Sequence, residues 1–99
     1  MIIFNIVQND HKIAEEISNF VIEKKFALYT HIDTNELFSG DGTKQSIRLF
    51  FITKALLYDI IEEEISAKFK SDDLMIYATP VIHISKKLGD QLRYHIKAI

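Results

Sequence analysis

Ile47-Arg48-Leu49-Phe50-Phe51-Ile52-Thr53-Lys54 is the stretch whose reading decides the fold. Alternate residues of a strand point to opposite faces. Here the Leu49/Phe51 set and the Phe50/Ile52 set are both large and apolar, so the strand is expected to lie inside a sheet with both faces covered. Just before it, Ser39–Gln45 (SGDGTKQ) carries two of the chain's three glycines and reads as a turn. Before that turn, Phe26–Phe38 (FALYTHIDTNELF) alternates loosely and reads as an edge strand, so the two strands form a hairpin.

Further out, Ile2–Val7 is an apolar run interrupted only by Asn5, a second strand buried on both faces. Asn9-Asp10 offers an N-cap for a helix whose apolar stripe is Ile13, Ile17, Phe20 and Val21, with Glu15 and Glu16 early enough to complement the dipole. After the third strand, Ala55–Phe69 predicts a helix with Leu57, Ile60, Ile61, Ile65 and Phe69 inward. Ser71–Asp73 reads as a turn and Leu74–Ile84 as a fourth extended segment, which Pro80 confines to an edge or a bend. Gly89 loosens the chain before a last helix from about Asp90 to Ala98, packed through Leu92 and Ile96. The order β-α-β-β-α-β plus a C-terminal helix predicts an α+β, ferredoxin-like sandwich: a four-stranded antiparallel sheet, helices on one face, strands one and three central. Residues 1–99 then make one domain. The helices cover one sheet face, so a partner subunit or the last helix must cover the other.

Composition narrows the function classes. A chain of 99 residues that is 47% hydrophobic has more apolar mass than so small a core needs. A net charge of −2 gives no basic footprint for nucleic acid. The absence of cysteine excludes disulfides, thiolate metal sites and thiol redox chemistry. The N-terminal MIIFNIVQND has no basic leader, and no run approaches the ~20 apolar residues of a membrane span. A soluble cytoplasmic protein is the expectation.

Several stretches carry a family likeness. Val21-Ile22-Glu23-Lys24-Lys25-Phe26-Ala27, Ile47–Lys54, Ala78-Thr79-Pro80-Val81, Gly89 and Tyr94 occur in this order. Over nearly its whole length the chain resembles CutA, the divalent-cation-tolerance proteins, relatives of the PII signalling proteins. The first stretch is similar to that family's Leu-Val-Glu-Glu-x-Leu-Ala-Ala, the second to its Glu-x-x-Leu-x-x-Lys-Thr strand, the third to its Ala-Leu-Pro-Val. Leu37-Phe38-Ser39-Gly40 stands where the family carries Tyr-Arg-Trp, and Phe69–Leu74 where it carries His-Pro-Tyr-Glu-Val-Pro. The resemblance implies a non-enzymatic homotrimer joined through sheet edges and the doubly apolar face, with any ligand in the cleft between subunits. Phe38, Phe50, Ile52 and Tyr77 are the expected interface residues, and the Ser39–Gln45 hairpin is the arm that would reach a neighbour.

His31 and Asp33 lie two apart on one strand and so share a face. With His83 they form the best metal-like set, suited to copper or zinc, although exposed edge-strand polar residues account for them much more readily. No resident cofactor is expected. Glu62–Glu64 point in different directions on a helix and read as a solvated face. Gly40-Asp41-Gly42-Thr43-Lys44 lacks the spacing of a phosphate loop and is explained by its turn. Two alternatives use the same strand order. One is a nucleotide- or small-ligand-sensing PII-like protein. The other is a single-stranded-RNA module, in which Arg48, Phe50, Ile52 and Phe4 would face bases. The RNA reading lacks the Gly-rich aromatic signature and a basic flank. An acylphosphatase-like enzyme shares the fold too, but no Arg follows the first strand to bind phosphate.

Overall fold

The computed structural model describes residues 1–70 and 73–98. Its elements are β1 (Ile2–Gln8), α1 (His11–Glu23), β2 (His31–Ser39), β3 (Gly42–Thr53), a 3-10 turn (Ala55–Leu57) running into α2 (Tyr58–Lys68), β4 (Met75–Pro80) and α3 (Lys86–His95). The four strands are antiparallel in the order β2-β3-β1-β4, so the two doubly apolar strands are central, as a ferredoxin-like sandwich requires. No helix among the described residues is long and apolar enough to cross a membrane. Of the expected turn at Ser71–Asp73, Ser71 and Asp72 lie outside the described residues.

Register settles which apolar set meets the helices. Phe4 pairs with Phe51 and Ile6 with Leu49, and all four are buried against Ile17, Val21, Leu57, Ile61 and Ile65. The Phe4 and Phe51 rings stack at 5.2 Å between centroids. Leu92 of α3 and Ile96, just past its end, join the same cluster. Ile52, by contrast, is only partly buried. The last helix therefore serves the helix-side core and leaves the other face half-exposed.

Asp10 caps α1 as its sequence suggests, accepting from the Lys12 and Ile13 amides. Glu15 and Glu16 lie beyond the first turn, where the dipole effect has faded, and Glu15 instead meets His11 Nδ1 at 3.0 Å. The helix ends in a Schellman motif. The Phe26 amide donates to Val21 O at 2.9 Å and the Lys25 amide to Ile22 O at 3.0 Å, with Lys25 in the left-handed region at φ 60°. That reversal buries Phe26 and Ala27 as core residues. The strand expected from Phe26 thus begins only at His31.

The turn expected over Ser39–Gln45 is tighter than that span. Ser39 pairs with Gly42, leaving Gly40-Asp41 as a two-residue loop, and Gly42 takes φ 110°, which favours glycine. β3 therefore starts five residues earlier than its apolar run. Its residues 47–53 pair with β1, whereas 42–46 pair with β2 alone. The hairpin projects past β1 as a two-stranded arm about 17 Å long at ~3.3 Å per residue. The shape follows: extents of 43 × 28 × 20 Å and a radius of gyration of 13.9 Å, against about 12.6 Å for a compact domain of this length. The accessible surface of 6509 Å² likewise exceeds the roughly 5,800 Å² expected for a monomer of this mass.

Three further expectations need correction. Ile60 is 42% exposed, because the 3-10 turn at Ala55–Leu57 shifts the phase of α2. β4 stops at Pro80, which has no amide hydrogen to extend the ladder, so residues 81–85 lie outside the sheet. The last helix starts at Lys86, capped by Ser85 Oγ accepting from the Leu88 amide, and Gly89 sits buried inside it.

Candidate functional site

Odd positions of β1, β2 and β4 and even positions of β3 share the sheet face away from the core. Register aligns them in rows: His31, Phe50, Asn5 and Tyr77 in one, and Asp33, Arg48, Val7 and Met75 in the next. Ile52, Ile3 and Thr79 lie on the other side of the first row. This open face is the most distinctive surface of the chain. It is apolar at both ends and polar across its middle.

Arg48 organises the middle. Its Nη2 donates to Asp33 Oδ2 at 3.0 Å, and its guanidinium lies 4.3 Å from the Phe50 ring centroid. Phe50 stacks on the His31 ring at 4.9 Å and 16°, and Tyr29 meets His31 edge-on. The Arg48 hydrogen bond holds the Asp33 carboxyl below the usual carboxylate range, and the Asn35 amide at 2.7 Å acts in the same direction. Reciprocally, Asp33 raises the guanidinium further. Asn5 is buried beside them and gives its Nδ2 to Ile3 O at 3.2 Å.

Two side-chain nitrogens among the described residues are buried without a partner: Arg48 Nε on this face and Gln8 Nε2 at the end of β1. An unmade buried hydrogen bond of this kind costs about 1–3 kcal/mol.

Of the expected interface residues, Phe50, Ile52 and Tyr77 do share the open face, with Tyr77 45% exposed. Phe38 does not. It pairs with Thr43 near the arm's tip, on the opposite face of the hairpin, and is 75% exposed. Of the metal-like set, His31 and Asp33 share the open face of β2, but Asp33 is engaged by Arg48. His83 lies outside the sheet, three residues after β4, which is the edge strand opposite β2. No three metal-ligating side chains converge among the described residues. The face also separates the residues of an RNA-reading surface: Arg48, Phe50 and Ile52 lie together, but Phe4 is fully buried in the core.

Sequence reasoning placed Arg48 with Phe50 and Ile52 but missed its pairing with Asp33. The signal available was the two-residue period of both strands, which becomes informative only once the hairpin register is known.

No protein-family model matches the chain, and no curated protein matches it in sequence. Solved structures match over almost its full length. CutA1 from Pyrococcus horikoshii superposes with a TM-score of 0.88 at 17% identity, covering 99% of this chain and 100% of that one. The periplasmic divalent cation tolerance protein CutA from Archaeoglobus fulgidus gives 0.85 at 20%, covering 98% and 100%. CutA from Synechococcus elongatus, complexed with a Bis-Tris molecule, gives 0.86 at 12%, covering 96% and 92%. The chain has the fold of these proteins.

Proposed function

We propose that this chain is a divergent, non-enzymatic protein of CutA type that works as a homotrimer, the open face of each sheet turned toward the other subunits. The open face carries the reading. Phe50 and Ile52, worth about 1.5–3 kcal/mol each on full burial, stay half-exposed beside a buried Asn5 and an Arg48 whose Nε lacks a partner. A second and third copy would cover Phe50 and Ile52. Pairing of the free edges of β2 and β4 across subunits would satisfy their open backbone groups. The arm, with Phe38 at its end, is long enough to reach a neighbour.

A role in divalent-cation tolerance comes from the proteins that share the fold. His31 is on the edge strand β2 and His83 follows the opposite edge strand β4, so a copper or zinc site that used both would be completed between subunits. Light scattering tests the assembly: the expected mass is three times that of the 11.5 kDa chain, and a clean monomer overturns the reading. Melting with zinc or copper then tests the cation. Stabilisation that is lost in His31→Ala supports it, and an unchanged midpoint removes it.

A further inference from the structure

We propose that residues 82–98 form a flap that opens as a unit while the sheet stays intact, and that Lys54 is its clasp. The Val81 amide donates to Met1 O at 3.1 Å. From there to Ile96, no hydrogen bond among the described residues ties the stretch to the rest of the chain. Ser85 caps α3 itself, and Asp90 accepts from Lys86 and Arg93, all within the same segment. What holds this segment to the body is apolar: Leu92 is buried, and Ile84 and Leu88 are partly buried against the core. A segment tied in this way opens at lower free energy than the strands it packs on.

The far end is fastened differently. Lys54, the first residue after β3, donates from Nζ to Ile96 O at 3.3 Å and to Lys97 O at 3.1 Å. Ile96 O lies at the end of α3, where carbonyls lack an intrahelical amide and a cation complements the helix dipole. The Lys97 amide in turn donates at 2.7 Å to the carbonyl of Lys25, the left-handed residue that reverses the chain after α1. Next to Lys54, Thr53 Oγ1 donates to Phe26 O. The end of β3 thus grips both the turn after α1 and the tail after α3. Breaking the Lys54 bonds frees the tail but no strand pair, because every ladder lies within β1 to β4. Opening takes Leu92 and Ile96 out of the core cluster and leaves the four strands in place. All of these bonds lie within one chain, so the flap exists with or without the trimer.

Native-state hydrogen exchange of the full chain, followed amide by amide by NMR, tests the proposal. In the wild type the amides of residues 89–97 should exchange faster than those of β1 and β3. Lys54→Met keeps the apolar stem and removes the donors. It should speed exchange at residues 89–97 about tenfold, as for loss of a hydrogen bond to a charged group, and Lys54→Arg should preserve the wild-type rates. Ile6→Val is the control, because Ile6 is buried in β1 and its truncation weakens the sheet side of the core. It should speed exchange in β1 and β3 alone, since the flap opens without unpacking Ile6. Three results overturn the proposal. They are exchange at residues 89–97 as slow as in the central strands, a response of those amides to Ile6→Val equal to that of β1, or indifference to Lys54→Met.

Discussion

Replacing Arg48 by Met separates a surface ion pair from an interfacial one. In the isolated chain the Arg48 and Asp33 side chains are 38% and 41% exposed, so solvent screens the pair and its loss costs at most about 1 kcal/mol. Removing the guanidinium from the Phe50 ring costs about another 0.5–1 kcal/mol, and deleting the partnerless Nε returns a similar amount. The fold of a single subunit should therefore barely notice Arg48→Met. If other copies cover the face, Asp33 becomes a buried carboxylate without its partner, at about 3–5 kcal/mol. That weakens association by roughly two to three and a half orders of magnitude.

Sedimentation equilibrium over a dilution series reads the effect, with urea unfolding of the dissociated subunit as the control. Asp33→Leu alone should weaken the trimer comparably, and Asp33→Leu with Arg48→Met should restore it, since a buried ion pair is often replaced by apolar groups without loss. The pair also sets a pH window. Asp33 titrates lower in the folded protein than the ~3.9 of an unfolded Asp. Its contribution is therefore full above about pH 4 and lost as pH falls through the lower folded value. Asp33→Leu should abolish that part of the acid sensitivity. A trimer of Arg48→Met that dissociates at the wild-type concentration would refute the reasoning.

Lys25→Gly should stabilise the chain by about 0.5–1 kcal/mol in urea unfolding, because the strain of a left-handed Lys exceeds the entropy cost of Gly; a loss would mean the Lys25 side chain contributes something the Schellman turn does not explain. Thr53→Val removes the hydroxyl that donates to Phe26 O at 2.6 Å in the core. It should cost about 1–3 kcal/mol by thermal or chemical denaturation, and an unchanged midpoint would contradict the bond. Phe38→Ser should leave subunit stability within about 0.5 kcal/mol, as expected for an exposed side chain, while weakening the trimer in the same dilution series. Equal dissociation of mutant and wild type would show that the arm's tip touches nothing.

The layered architecture was legible because strand and helix periods differ and Ile2–Val7 and Ile47–Lys54 keep theirs without interruption. The errors have local causes. The alternation from Phe26 reads as strand because the residue that turns the chain out of α1 is Lys25, and nothing about a lysine announces a positive φ. Gly42–Gln45 reads as turn because arm strands need backbone pairing but no apolar face. Gly89 looked like a breaker, yet Ser85 caps the helix ahead of it and its burial leaves room for the Arg93 side chain lying over it.

The open face shows why apolar patterning locates a surface without describing it. Phe50, Ile52, Ile3 and Val7 alone would bind any hydrophobic surface at almost any rotation, because burial of apolar area has no direction. Arg48, Asp33 and Asn5 cut a polar band through the middle of that surface. A partner that covers them without hydrogen-bonding them pays several kcal/mol, so most partners and most orientations are penalised. The apolar rows supply the drive to cover the face, and the polar band selects what covers it. In the proposed trimer three copies of one chain would meet that selection by presenting the same band, Arg48, Asp33 and Asn5, to one another.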